Sequence, residues 1–230
     1  MEILENIPVE LTVKQVLRSL HLDSDGKYAG DVQGLVDLVQ DVVRPKAIYD
    51  VRYIDRKDTD EIEIGGVKFT SRVLRVNLDK VERIFPYIAT CGTEVESIDI
   101  PSDDLMRRFV LDNIKQIALG AAVKHLREHM DRIYRPGQMS AMSPGSLEDW
   151  PISEQRQLFS IFGDVEKLIG VKLTDSYLML PIKSISGIYF PTEVRFESCQ
   201  LCPRERCPGR RAPYDEKLKE KYFSGENSLD

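Results

Sequence analysis

Pro144-Gly145, Gly163-Asp-Val-Glu-Lys167, Gly170-Val-Lys-Leu-Thr-Asp-Ser176, Met179-Leu-Pro181 and Ser184-Ile-Ser-Gly-Ile-Tyr-Phe190 stand in that order along one stretch of the chain. Apolar spacing predicts helices near 153–161 and 163–169. The Lys172–Phe190 segment then carries strand-like runs, broken at Pro181, which cannot donate to a ladder, and at Gly187. Just ahead of this stretch, from Arg135 to Ser146, the texture turns to Pro, Gly, Ser and Met. An irregular segment of that length between ordered elements is expected to be a functional loop.

Working outward, residues 103–130 give the strongest periodicity. Leu105, Phe109, Val110, Ile114, Ile117, Ala118, Ala121, Ala122 and Leu126 recur at helical spacing, which predicts a long central helix. Gly120 and its neighbouring alanines suggest a close backbone contact on that helix. Earlier, Thr12-Val-Lys-Gln15 has the spacing of a capping box and opens a short amphipathic helix with Val13, Val16, Leu17 and Leu20 on one face. Beyond the Gly26 and Gly30 break, a second helix is expected over 31–43, ended by Pro45. Residues 47–70 read as strands around the Gly65-Gly66 turn, a short helix follows near 71–78, and Ile84–Gly92 reads as a buried strand ending in a turn. After Tyr214 the chain is charged, and a partly helical, fraying tail is expected.

Composition bounds the function. With 42% hydrophobic and 30% charged residues over 230 positions, the chain can bury a sizeable core, which excludes disorder for most of its length. No apolar run approaches the ~20 residues that cross a bilayer. The acidic start, Met1-Glu-Ile-Leu-Glu5, lacks the order of a signal peptide, so a cytoplasmic location and no membrane association are expected. A net charge of −6 argues against a general nucleic-acid binder.

Chemistry-bearing motifs are few. Neither a P-loop nor a Gly-x-Gly-x-x-Gly turn occurs. His125 and His129 share one helical face but lack the inner glutamate of a zincin helix. Cys199, Cys202 and Cys207 form a C-x2-C-x4-C cluster among Arg204, Arg206, Arg210 and Arg211. Three close sulfurs suit zinc or an iron–sulfur cluster, with Cys91, solvent or a partner completing the set. A redox thiol pair or free cysteines are the alternatives, and the arginines would favour thiolates in any of these cases.

The motifs over 144–190 resemble the C-terminal activation domain of cobalamin-dependent methionine synthase, the module that binds S-adenosylmethionine. The match is dense there and weaker over 9–130, where the layout resembles the activation subunits found apart from the synthase. The resemblance implies an α+β fold, a curved antiparallel sheet with a long helix packed on it, as one unit over residues 1–212. Within it, 9–130 is the helix and strand front, 135–196 the S-adenosylmethionine-binding part and 199–207 the cysteine cluster, with a charged tail at 213–230.

By that resemblance, Tyr189 and Phe190, reached through Gly187, line the ligand site, and Pro144-Gly145 lets backbone approach the ligand. The family's arginine and tyrosine around that glycine are Ala141 and Ser146 here, which leaves Arg135 as the expected anchor for the methionine carboxylate. The family's N-terminal acidic ligand is not placed on this sequence. The implied function is reductive remethylation of cobalamin on a separate corrinoid protein, a methionine synthase lacking its own activation domain, with an electron donor protein as second partner. An iron–sulfur cluster at the cysteines would relay the electron; zinc would staple the C-terminal segment. The contrasting expectation, favoured by Ala141 and Ser146, is a non-enzymatic corrinoid-protein-binding or metal-binding accessory module without S-adenosylmethionine affinity.

Overall fold

The computed structural model describes residues 1–23 and 26–224. In chain order the elements are β1 (Glu2–Leu4), α1 (Val13–Ser19), α2 (Ala29–Val42), β2 (Lys46–Tyr49), β3 (Arg52–Lys57), β4 (Glu61–Ile64), β5 (Val67–Thr70) and α3 (Arg72–Asn77). There follow β6 (Arg83–Thr90), α4 (Leu105–Tyr134), β7 (Met139–Met142), α5 (Gln155–Ser160), α6 (Val165–Ile169), β8 (Lys172–Leu173), β9 (Met179–Leu180), β10 (Ser184–Pro191) and α7 (Glu216–Phe223). The fold is α+β, with a large antiparallel sheet and a long helix.

The central strand is β6. It pairs with β2 and β3 along one edge and with β10 along the other, and β10 in turn pairs with β7. The β1-β2 pair and the β3-β4-β5 meander extend the sheet, and every pairing is antiparallel. Seven of the eight residues of β6 are buried, because both faces of the sheet are covered. Tyr49, Phe85, Tyr87, Ala89 and Tyr189 face a core shared with α1, α2 and α4. Ile84, Ile188 and Phe190 face a second core with Trp150, Leu158 and Tyr222, and Ile48 and Ile88 a third with α6. The two sets alternate along each strand, as the two-residue period of a pleated strand requires.

Local chemistry explains most of the boundaries. The hydroxyls of Thr12 and Ser71 and the carboxylate of Asp104 accept hydrogen bonds from Gln15 N, Leu74 N and Arg107 N, and so open α1, α3 and α4. Gly65 and Gly66 both take positive φ, 59° and 77°, the pairing that a two-residue hairpin turn between β4 and β5 demands. The 30 residues of α4 bury Val110, Leu111, Ile114, Ala118, Leu119, Ala122, Leu126 and Met130.

Several expectations change. Leu105 and Phe109 are exposed, at 72% and 57%, so the apolar pattern of α4 begins before its buried stripe. Gly120 is exposed, and a Cβ there would meet nothing within 4 Å, so the close packing falls to Ala118 and Ala122. The expected loop 135–146 contains β7, a strand too short to show a period, whose partner β10 lies far along the chain. Gly187 lies inside β10 and does not break it. The tail also forms α7, which buries Tyr222; Arg72 Nε donates to Tyr222 O at 2.7 Å, and Tyr222 Oη donates to Asn77 Oδ1 at 2.9 Å. The end of the expected fraying tail, 225–230, lies outside the described residues.

Candidate functional site

A cavity of about 150 Å³ opens where β10, β7, α4 and the 195–211 segment meet. Tyr189 forms part of its wall. Directly across the β7–β10 ladder from Tyr189 is Ala141, which also lines the cavity. Tyr189 stacks on Tyr87 with ring centroids 4.3 Å apart and planes 20° apart, and it is only 5% exposed. Burial raises the phenol of Tyr189, against the lowering pull of Tyr87, Arg127 and Arg211. Burial also raises Tyr87 well above its ordinary value, reinforced by Tyr189. Both rings therefore stay neutral across the physiological range.

Gly187 makes this stack feasible. It pairs with Tyr87 across the β10–β6 ladder. A Cβ at 187 would lie 2.5 Å from the Met142 carbonyl oxygen, 2.8 Å from Ser143 Oγ and 3.1 Å from Tyr87 Cε1. The missing side chain lets the Tyr87 ring lean diagonally onto Tyr189 while the end of β7 closes over it.

Pro144-Gly145 acts through its flanks. Ser146 N donates to Ser143 O at 3.1 Å, and Gly145 has φ 81°. Proline at the second position and a positive-φ glycine at the third make the type II arrangement. A Cβ on Gly145 would press on Ile152 Cδ1 at 2.8 Å. Neither residue lines the cavity, but Ser143 and Ser146, at the base of the turn, do.

The other expected residues separate. Phe190, next to Tyr189 on a strand, faces the opposite core with Trp150 and Ile188 and is fully buried. Arg135 is the exposed left-handed cap of α4, at φ 44°, and is not among the cavity residues. The arginines that do line the cavity are Arg127 of α4, Arg195 and Arg211. Glu197 bridges the last two: Arg195 donates to its Oε1 from Nε at 3.0 Å and Nη2 at 2.7 Å, and Arg211 Nε lies 3.2 Å from Oε2. Tyr87, Arg127 and Glu197 carried no sequence signal, since tyrosine on a buried strand and arginine on an amphipathic helix are ordinary.

The cysteine segment is organised around a guanidinium. Arg210 Nη1 donates to Cys199 O at 3.0 Å and Ala212 O at 3.2 Å, while Nη2 donates to Cys202 O at 3.2 Å and also to Arg204 O. The fork ties together four carbonyls of a loop without regular structure, one of which, Cys199 O, also accepts from Cys202 N at 3.3 Å. Among the described residues no three His, Cys, Asp or Glu side chains stand together as a metal-ligand set, so the structure does not assemble Cys199, Cys202 and Cys207 into the expected zinc or iron–sulfur site. Cys199 Sγ instead accepts from Arg211 N at 3.4 Å, which with Ala212 N and the Arg211 charge lowers its thiol pKa despite partial burial. Cys91 belongs to the core under α4, where burial pushes its thiol up to about 12, the reverse of what a thiolate ligand needs. His129 is likewise engaged, its Nε2 lying 2.9 Å from Glu2 Oε1.

A larger groove of about 800 Å³ lies between the 76–83 segment, residues 191–196 and α7, and it shares only Arg195 with the cavity beside Tyr189.

Residues 143–203, which span β10 and half of the residues lining the cavity beside Tyr189, match the family model described as vitamin B12 dependent methionine synthase, activation domain. Among solved structures the chain is similar to the crystal structure of the MetH reactivation domain bound to AdoHcy. The likeness has a TM-score of 0.56 at 16% identity and covers 86% of this chain and 81% of that one. At that identity the likeness is one of fold alone, an α+β fold with a large antiparallel sheet and a long helix. No curated protein sequence matches the chain. No helix among the described residues is long and apolar enough to cross a membrane.

Proposed function

We propose that this protein is a methionine synthase activation module that acts as its own subunit, binds S-adenosylmethionine beside Tyr189, and restores a cobalamin carried by a separate corrinoid protein. The observation that carries this is that the family match over 143–203 includes Tyr189, Ser143 and Ser146 of the cavity wall. A similar fold holds AdoHcy, the demethylated form of the methyl donor.

The partner's cobalamin supplies the electron- and methyl-accepting chemistry. This chain's share is to bind and aim the donor. Methyl transfer from a sulfonium needs no general base, and orientation alone lowers the barrier of a two-reactant step by several kcal/mol. Phenols that stay neutral and serine hydroxyls in the wall suit that task, because they orient without taking a proton, and the carboxylate beside them is paired with two arginines. The enclosed volume falls below the ~300 Å³ at which pockets for whole small molecules begin. Part of the donor therefore lies in the open, where a corrinoid docked over it can reach the methyl group. The contact with that partner is transient, with a polar rim.

Calorimetric titration with S-adenosylmethionine, followed by titration with the corrinoid partner in its cob(II)alamin and methylcobalamin forms, tests this. Saturable binding of the donor and tighter binding of the cob(II)alamin form are expected. A folded protein that binds no S-adenosylmethionine would leave the accessory-module alternative, and equal affinity for the two cobalamin states would remove the reactivation role.

A further inference from the structure

The cavity beside Tyr189 contains three guanidinium groups and one carboxylate. Two of the three, Arg195 and Arg211, are paired with Glu197. Arg127, one turn beyond Val123 on the cavity side of α4, makes no ion pair or hydrogen bond among the described residues. It sits close enough to Tyr189 to draw the phenol downward. With Glu197 balanced once over, the lining keeps a surplus of positive charge, and its uncommitted member is the exposed Arg127.

Size narrows what that charge can receive. A cavity near 150 Å³ accommodates about six heavy atoms, the size of a benzene ring. A nucleoside is far too large, whereas the α-amino-acid end of an adenosyl amino acid has five heavy atoms and carries a carboxylate. We propose that Arg127 binds the carboxylate of the amino-acid end of S-adenosylmethionine, which enters this cavity first and leaves the adenosine outside. The inference rests on the ligand class proposed above. A guanidinium meets a carboxylate through two parallel N–H···O bonds, which fixes orientation as well as charge. Ser146 Oγ donates to Ser143 O at 2.7 Å and lies 3.2 Å from Ser198 Oγ, from which it accepts, so one lone pair remains to accept from the ligand's ammonium. Ala141, across the ladder from Tyr189, leaves the opposite wall small, so the cation reaches the carboxylate from the helix and not from β7.

The discriminating ligand is 5′-methylthioadenosine, which keeps the adenosine and sulfur but lacks the amino-acid end. Titrations of the full chain with S-adenosylhomocysteine and with 5′-methylthioadenosine are compared for the parent and for Arg127→Met and Arg127→Gln, both changes at an exposed helix position, with circular dichroism to confirm folding. The parent is expected to prefer S-adenosylhomocysteine, and each variant to lose about ten- to a hundredfold in affinity for it while binding 5′-methylthioadenosine unchanged. Variants that keep the parent's preference would overturn the role of Arg127 and leave the ligand site standing. A parent that binds both ligands equally would overturn the carboxylate contact in the same way. A parent that binds neither compound would overturn this inference together with the ligand class on which it rests.

Discussion

Replacing Gly187 by alanine adds one methyl group at the most confined backbone position of the site. The new Cβ would lie 2.5 Å from the Met142 carbonyl oxygen, a backbone atom at the end of β7 that cannot swing away as a side chain would. Ser143 Oγ at 2.8 Å and Tyr87 Cε1 at 3.1 Å close the other directions. Relief requires β7 to part from β10 or Tyr87 to leave its stack with Tyr189. Overpacking of this kind costs about 1–3 kcal/mol. For a chain of this length that corresponds to roughly 2–12 °C in Tm. Gly120→Ala is the internal control: its Cβ meets nothing within 4 Å on an exposed helix interior, and alanine there gains about 0.8–1 kcal/mol in helix propensity. Urea unfolding of both variants is expected to move the midpoints in opposite directions at unchanged slope. S-adenosylmethionine binding should be lost in Gly187→Ala and retained in Gly120→Ala. A Gly187→Ala protein as stable as the parent would refute the close approach of β7 to β10 and, with it, the wall of the cavity.

Three further outcomes are expected. In the native protein, iodoacetamide should alkylate Cys199 first, since hydrogen bonds from Arg211 N and Ala212 N lower its pKa and enlarge its thiolate fraction at neutral pH; Cys91, pushed up to about 12 by burial, should stay unmodified until unfolding, as peptide mass mapping against pH would reveal. Arg210→Ala removes the donor to four carbonyls, so trypsin should cut at Arg204 and Arg206 several-fold faster than in the parent, and an unchanged digestion rate would contradict the guanidinium-centred loop. Burial alone would raise the carboxyl of Asp50, but the Met1 ammonium at 2.6 Å and Arg52 Nε at 2.7 Å hold it below the ordinary value. Its stabilisation is therefore complete above the unfolded-state pKa, ~3.9, and is lost as pH falls through the lower folded value, so Asp50→Asn should flatten the acid limb of the stability curve.

The sequence by itself determined whatever depends on neighbours close along the chain. The caps at Thr12 and Asp104, the Gly65-Gly66 hairpin, the helical stripe of α4 and the type II turn at Pro144-Gly145 are local, and each is written in residues within one turn of one another. The dense motif over 144–190 also pointed to the right fold class, and Tyr189, which it singled out, lines the cavity. Tertiary structure alone decided which side chains meet. Strand alternation sends Phe190 to the opposite core from Tyr189, and the β7–β10 register sets Ala141 against that tyrosine across 48 residues of chain. Arg127, on a helix that ends before β7 begins, reaches the cavity for which Arg135 was the nearer candidate in sequence. The thiol spacing suggested a metal, yet what holds the carbonyls of that loop together is the Arg210 guanidinium, which the fold brings within reach of Cys199 O and Cys202 O. Periodicity and motif spacing record how a segment folds; the partner across a sheet or a loop is set by register and packing, which leave no trace at fixed spacing.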